Sequence, residues 1–307
     1  MADTYQVAII GGGPAGIAAA VYAARKQLKT ALVTDEFGGQ SAVSADIHNW
    51  IGTPSISGSQ LADNLKAHIV AYPEVALIEK RASAIADDGH VFTISFADGS
   101  TVLAERIILA TGARRRRLGI PGEDQFEGKG VVFCSTCDAP LFRGFEVAVV
   151  GGGNAGLEAV IDLIPYASKI YLLDRSGQLR GDAVTQKTAL GSEKVTRVPN
   201  VTTLSIEGEK MVSGVKYKDN VTGEEKVLPV NGVFVEIGSI PNSDLVKEFV
   251  KLNDFNEVVT DPVTQRTSHA RIWAAGDITD GKHKQNNIAA GDAIKALLDL
   301  YDEVKIG

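Results

Sequence analysis

Twice in this chain a short apolar run leads straight into a glycine box and then into a helix-forming segment, and this duplication restricts the possible folds more than any other feature. The first copy is Val7-Ala8-Ile9-Ile10, Gly11-Gly12-Gly13-Pro14-Ala15-Gly16 and the segment from Ile17 to Arg25. The second is Val147-Ala148-Val149-Val150, Gly151-Gly152-Gly153-Asn154-Ala155-Gly156 and the segment from Leu157 to Ile164. An unbroken β-branched run predicts a parallel strand buried on both faces. Glycines at this spacing allow a tight turn and leave bare backbone for a pyrophosphate, and the following helix offers N-terminal amides and the positive end of its dipole. Each box also has an acid where the next apolar run ends. Asp35, with Glu36 beside it, follows Thr30-Ala31-Leu32-Val33-Thr34, and Asp174 follows Lys169-Ile170-Tyr171-Leu172-Leu173. A carboxylate at that distance accepts from a ribose hydroxyl. Two complete fingerprints predict an α/β chain that binds two dinucleotides, one held as a cofactor and one exchanged as a substrate.

With 307 residues the chain has room for two medium domains. A net charge of −7 argues against a general nucleic-acid binder, which needs a basic surplus. Apolar stretches are too short to span a bilayer, and the opening Met1-Ala2-Asp3-Thr4-Tyr5-Gln6 lacks the basic start of a targeting peptide. A cytoplasmic location without membrane attachment is expected.

The only two cysteines stand in Phe133-Cys134-Ser135-Thr136-Cys137-Asp138-Ala139-Pro140. A Cys-x-x-Cys spacing suits a disulfide that is repeatedly made and broken, because one thiol can resolve the mixed disulfide formed by the other. Structural zinc wants four ligands, and His48, His68, His90, His269 and His283 show no ligand-like pairing near the cysteines, so no metal is expected. A static disulfide suits small secreted scaffolds better than a chain of this length. A redox-active dithiol followed by the carboxylate Asp138 is the reading that remains.

Between these landmarks, Phe37-Gly38-Gly39-Gln40 is a tight segment, Asp46 to Gly52 a loop, and Leu61 to Ile69 an amphipathic helix. Residues 74–109 alternate with period two and predict antiparallel strands, ending in a buried run that enters the Ala110-Thr111-Gly112-Ala113 turn. Arg114-Arg115-Arg116-Arg117 reads as a solvated crossover between domains, with a docking patch for an acidic partner or a nucleotide phosphate as the competing reading. Residues 201–237 predict short strands, and the chain ends with Arg271-Ile272-Trp273-Ala274-Ala275, Gly276-Asp277 and a helix from about Gln285 to Tyr301.

Gly11 to Gly16, Ala110 to Ala113, Cys134 to Asp138, the box at Gly151 and Ala274-Ala275-Gly276-Asp277 occur in the order of the low-molecular-weight thioredoxin reductases, which the whole chain resembles. Phe37 to Gln40, Pro121-Gly122-Glu123-Asp124-Gln125 and Lys284-Gln285 are similar to the reductase half of the alkyl hydroperoxide reductase flavoprotein. The resemblance implies two Rossmann-like domains of three-layer ββα form, the second inserted in the first. Residues 1–117 with 245–307 would bind FAD, and 118–244 would bind NAD(P) and carry the cysteines. It implies FAD contacts at Gly11, Gly13, Pro14, Ala15, Gly16, Asp35, Glu36, Gly39, Gln40, Asn49, Ala110, Thr111, Gly112, Gly276, Asp277, Lys284, Gln285 and Asn286. The nicotinamide nucleotide would meet Gly151, Gly153, Asn154, Ala155, Gly156, Asp174, Arg175 and Arg180. In this scheme Cys137 faces the flavin, Cys134 attacks a partner disulfide and Asp138 moves the proton. The chain would act as a homodimer on thioredoxin or a thioredoxin-like protein. The alkyl hydroperoxide reductase flavoprotein carries its own extra disulfide domain; here the partner disulfide is expected on a separate protein.

One departure bears on the electron donor. NADPH-using members carry His-Arg-Arg and a later Arg after the second strand of the nucleotide domain, whereas this chain has Asp174-Arg175-Ser176-Gly177-Gln178-Leu179-Arg180. Asp174 would repel a 2′-phosphate and accept from a free 2′-hydroxyl, which favours NADH, although Arg175 and Arg180 offer charges for NADPH. Ferredoxin, docked on the arginine run, is an alternative donor. A flavin-dependent dithiol oxidase and a non-catalytic nucleotide sensor are further alternatives.

Overall fold

The structure is a computed structural model described for residues 4–44 and 47–306, so the expectations for residues 1–3 and 46 lie outside the described residues. The chain divides into two compact units, Met1–Arg114 with Ile240–Gly307, and Arg115–Ser239.

In the first unit a parallel sheet runs in the order Ile272–Ala274, Ile107–Leu109, Val7–Ile10, Thr30–Val33, Ala76–Ile78. The opening apolar run explains the layering. Val7 and Ile9 face a cluster built with the helices Pro14–Arg25 and Asn286–Ile306. Ala8 and Ile10 face the opposite way, into a cluster shared with the antiparallel strands Ala82–Asp87, Phe92–Phe96 and Thr101–Ala104. Alternation along one strand thus feeds two cores, and a polar side chain would be costly at any of the four positions. Each large aliphatic residue buried there, such as Ile9 or Leu32, contributes roughly 1.5–3 kcal/mol of hydrophobic stabilisation. The expectation of antiparallel strands holds for 82–104, but Ala76–Ile78 joins the parallel sheet beside Thr30–Val33. Its three residues are only partly buried and leave too little apolar pattern to tell the two pairings apart.

The second unit repeats the plan. Its parallel sheet runs Val131–Val132, Gly232–Val235, Glu146–Val150, Lys169–Asp174, Val195–Pro199. Val147 and Val149 pack toward the helix Asn154–Leu163, while Ala148 and Val150 pack toward the antiparallel strands Val201–Gly208, Val212–Asp219 and Glu225–Pro229. Helix Ala183–Leu190 and strand Val195–Pro199 carry almost no sequence signal; within that helix only Ala189 is buried. The C-terminal helix begins at Asn286 and extends to Ile306, past the expected end near Tyr301.

One strained position predicts a stabilising change. Gln265 has φ +62° and is 4 % exposed, and its Oε1 is buried without a hydrogen-bond partner among the described residues. A non-glycine residue in the left-handed region costs about 1–2 kcal/mol, and an unmet buried acceptor costs a similar amount. Glycine removes both penalties at an entropic cost of about 0.5–1 kcal/mol, and gives up two long Nε2 bonds, to Asp292 Oδ1 at 3.4 Å and to the Pro262 carbonyl at 3.5 Å. The side chain borders a cavity of about 340 Å³ lined by Thr260, Asp280 and Asp292, polar enough for water to fill the space vacated. Gln265→Gly is therefore expected to raise stability by about 1 kcal/mol, read from the urea midpoint; a lower midpoint would show that packing outweighs strain.

Candidate active site

Steric limits at the first glycine box are severe where the backbone turns and relaxed where a ligand would lie. A Cβ on Gly11 would stand 2.1 Å from the Ala110 carbonyl oxygen, and one on Gly16 would stand 1.8 Å from the Gly11 oxygen. A Cβ on Gly13, in contrast, meets nothing closer than 3.9 Å. Gly13 is the N-cap of Pro14–Arg25 and supplies no side-chain cap. The helix Gly58–Val70 is instead capped by the Ser57 hydroxyl, which accepts from the Gln60 amide at 3.2 Å. First-turn amides left without a side-chain cap beside open backbone suit a phosphate.

Residues far apart in sequence complete this site. Asn49 Nδ2 donates to Gln285 Oε1 at 3.0 Å, and Ser41 Oγ donates to Asn286 Oδ1 at 2.8 Å. Gly276, at φ +78°, fits between Ala15 and Ala289, and a Cβ there would be 3.2 Å from both of their methyl carbons. Thr111 Oγ1 donates to the Asn242 carbonyl, and Asn242 Nδ2 returns a bond to the Thr111 carbonyl at 2.8 Å. Lys284 pairs with Glu257 at 3.0 Å. Gly39 lies against Gly13, while Gln40 is exposed, and Asp277, next to Gly276, is half-buried. Asp35 and Glu36 are exposed at the end of Thr30–Val33, with Arg81 3.7 Å from the Asp35 carboxylate. The open backbone at Gly13 and the uncapped helix after it fit the pyrophosphate of a dinucleotide.

The second box shares that geometry. Gly156 is as constrained as Gly16, with a Cβ that would fall 1.9 Å from the Gly151 oxygen, and Gly153 has nothing within 4 Å. Gly153 likewise leaves Asn154–Leu163 without a side-chain cap. Ala155 is exposed there, and the Asn154 side-chain Oδ1 accepts from the Asp182 amide at 2.9 Å. Asp174 is 2 % exposed; Arg197 Nε donates to its Oδ2 at 2.8 Å, and its Oδ1 is buried with no partner among the described residues. Arg197 was not among the expected site residues. Arg175 and Arg180 are exposed, and neither side chain has an ion pair or hydrogen bond among the described residues.

The cysteines form a disulfide with Cα atoms 5.3 Å apart. Cys134 caps the single helical turn Ser135–Asp138, and the Asp138 amide donates to the Cys134 carbonyl at 3.0 Å. The turn is held from below. Ser135 Oγ and Thr136 Oγ1 donate to Asp162 Oδ2 at 2.8 and 3.2 Å, and the Ser135 amide donates to Glu236 Oε1 at 3.2 Å. Asp138 is buried, and burial pushes its carboxyl up to about 6 against the opposing charge of Arg115. Burial pushes Glu236 up to about 7, with Arg115 and the Ser135 amide opposing and Asp162 and Asp138 adding to the rise. Asp162 and Glu236 are site residues that sequence reasoning missed, because each reads as an ordinary acid on a helix or at a strand end.

Half of the arginine run is committed to the fold. Arg114 Nη1 donates to Asn242 Oδ1 at 2.9 Å, and Arg117 pairs with Glu127 and stacks over Phe133 at 4.5 Å. Arg115 acts on the buried Asp138 and Glu236 carboxyls through its charge. The side chains of Arg115 and Arg116 make no hydrogen bond or ion pair among the described residues, so the docking-patch reading loses two of its four charges.

Comparison with known proteins agrees with this geometry. Residues 5–293 match the family described as pyridine nucleotide-disulphide oxidoreductase. The chain is 32% identical to the thioredoxin reductase of Streptococcus pyogenes MGAS5005, with a TM-score of 0.92 over 99% of both chains. It is 30% identical to the thioredoxin reductase of Giardia duodenalis, with a TM-score of 0.92 over 98% of this chain and 99% of that one. It is 40% identical over 302 residues to the F subunit of the alkyl hydroperoxide reductase of Staphylococcus aureus strain MSSA476, covering 98% of this chain. It spans about three fifths (59%) of that relative's length. Among the described residues no helix is long and apolar enough to cross a membrane. The chain, with its two glycine boxes and its Cys134–Cys137 pair, belongs to the pyridine nucleotide-disulphide oxidoreductases.

Proposed function

We propose that this chain is a flavin-dependent disulfide reductase that passes two electrons from NADH, through FAD and the Cys134–Cys137 pair, to thioredoxin or a thioredoxin-like protein. The observation that carries this reading is a disulfide beside a buried acid, Asp138, in the same unit as a complete second nucleotide box. When bound, FAD supplies a two-electron carrier between a hydride donor and a disulfide. The residues do the rest. Cys134, half-buried at the head of its turn, is the thiol that attacks the partner disulfide, and Cys137 resolves the mixed disulfide. Asp138, with a carboxyl poised near 6, gives up and takes back the proton that each exchange requires. A cytoplasmic homodimer completes the reading; sedimentation of the flavin-loaded protein at twice the mass of the chain would support it.

Asp174 favours NADH. Its Oδ1, beside Gly152 and without a partner among the described residues, is an acceptor for a ribose hydroxyl, while Arg197 already balances the charge on Oδ2. NADPH remains the second reading because the Arg175 and Arg180 side chains stand exposed and unpaired among the described residues. Anaerobic stopped-flow titration of the flavin-loaded protein with each nucleotide separates them. Flavin bleaching by NADH is expected to be at least about tenfold more efficient than by NADPH, equivalent to about 1.4 kcal/mol. The reverse order would assign the ribose to the two arginines, and bleaching by reduced ferredoxin alone would overturn the nicotinamide reading.

A further inference from the structure

Glu236 links the two halves of the second unit's chemistry. Its amide donates to the Val150 carbonyl at 2.9 Å, and its own carbonyl oxygen lies where a Cβ on Gly151 would fall, so its backbone abuts the nucleotide box. Its side chain reaches the other way, and Oε1 accepts from the amide of Ser135, between the two cysteines. Glu236 as a whole is 9 % exposed. The charged groups facing it are Asp138 on the helical turn, Asp162 on the helix Asn154–Leu163 and Arg115 on the strand Ala113–Arg115. One cation therefore stands against three acids around a disulfide whose reduction adds negative charge.

We propose that Glu236 is a positioning residue that makes the reduction of the Cys134–Cys137 disulfide depend on pH, by fixing the Ser135 amide and, once ionised, opposing the charge that reduction places on the sulfurs. The proposal rests on the cysteine pair being redox-active, as argued above. Reduction breaks the S–S bond with two electrons from a dithiol or the reduced flavin and yields two thiolates, which take up protons to the extent that pH allows. Any thiolate that persists raises the proton affinity of nearby Glu236, which takes its proton from solvent. Below about pH 6 the carboxyl is mostly neutral in the oxidised protein and adds little repulsion; above about pH 8 it is mostly ionised and disfavours the reduced state.

The test is the redox equilibrium of the flavin-loaded protein with dithiothreitol between pH 5.5 and 8.5, read by alkylation of free thiols. In Glu236→Gln the ratio of reduced to oxidised protein should equal that of the parent at pH 5.5 and exceed it by about tenfold at pH 8.5. Glutamine keeps an acceptor for the Ser135 amide; Glu236→Ala removes it as well and adds a pH-independent offset, but its excess should rise between pH 5.5 and 8.5 by the same factor, so a folding defect in one variant leaves the other to decide. An excess that is constant across pH would mean a purely structural role and overturn the proposal. A disulfide that dithiothreitol reduces equally in all three proteins at every pH would overturn it too. Failure of the disulfide to accept electrons from either dithiothreitol or NADH would overturn the reductase reading itself.

Discussion

Replacing Cys134 with serine is expected to lower turnover of a protein disulfide by about a thousandfold or more, while diaphorase activity with an artificial acceptor stays within about twofold of the parent. A thiolate is the nucleophile in disulfide exchange, and a serine hydroxyl is too weakly acidic to replace it. The Cα separation of 5.3 Å and the cap position of Cys134 belong to a local turn, tied down by Asp162 and Glu236, that the substitution leaves in place. The glycine cradle at Gly11 to Gly16 lies in the other unit and is untouched. Steady-state assays of both activities on one preparation check the result. Loss of both would mean that the cysteines are needed for the flavin to be reduced or held, and would end the division of labour proposed for them.

Much of this site is legible in the sequence because its parts are local. Val7–Ile10 and Glu146–Val150 are buried on both faces, so their residues read as apolar with little interruption, and the glycines after them sit where a Cβ would strike backbone. What sequence conceals is contact across distance. Glu236 follows an apolar run and resembles any strand-end acid until the fold brings it within 3.2 Å of the Ser135 amide, 101 residues away. Asn49 and Gln285 meet across 236 residues, and nothing local to either announces the other. Asp174 shows a third kind of limit. Its expected role as a ribose reader comes from the fingerprint, but its ion pair with Arg197, 23 residues on, appears only when Val195–Pro199 takes its place beside Lys169–Asp174. The arginine run shows the converse, since four adjacent charges suggest a surface patch, and the fold commits two of them, Arg114 to Asn242 and Arg117 to Glu127.

Asp138→Asn is expected to move stability and activity in opposite directions. Burial raises the Asp138 carboxyl from its ordinary 3.8 to about 6. In the unfolded chain the proton leaves near the lower value, and in the fold it leaves near the higher one. Its contribution to stability is therefore complete below pH 3.8 and is lost as pH rises through 6, leaving an ionised group in a poorly solvated place. The gap corresponds to roughly 3 kcal/mol, an upper figure because Arg115 and local water soften it. Asparagine keeps the shape and cannot ionise, so the oxidised variant should unfold at a higher temperature than the parent at about pH 8, and the difference should close by about pH 4. Turnover of a protein disulfide should fall by about a hundredfold or more, because each thiol exchange loses its nearby proton carrier. Thermal unfolding across pH and steady-state kinetics on the same variant read both effects. Turnover within about threefold of the parent would remove Asp138 from the proton path and leave the buried carboxyl of Glu236 as the nearer candidate. A stability gain without pH dependence would instead trace the burial cost to packing and not to charge.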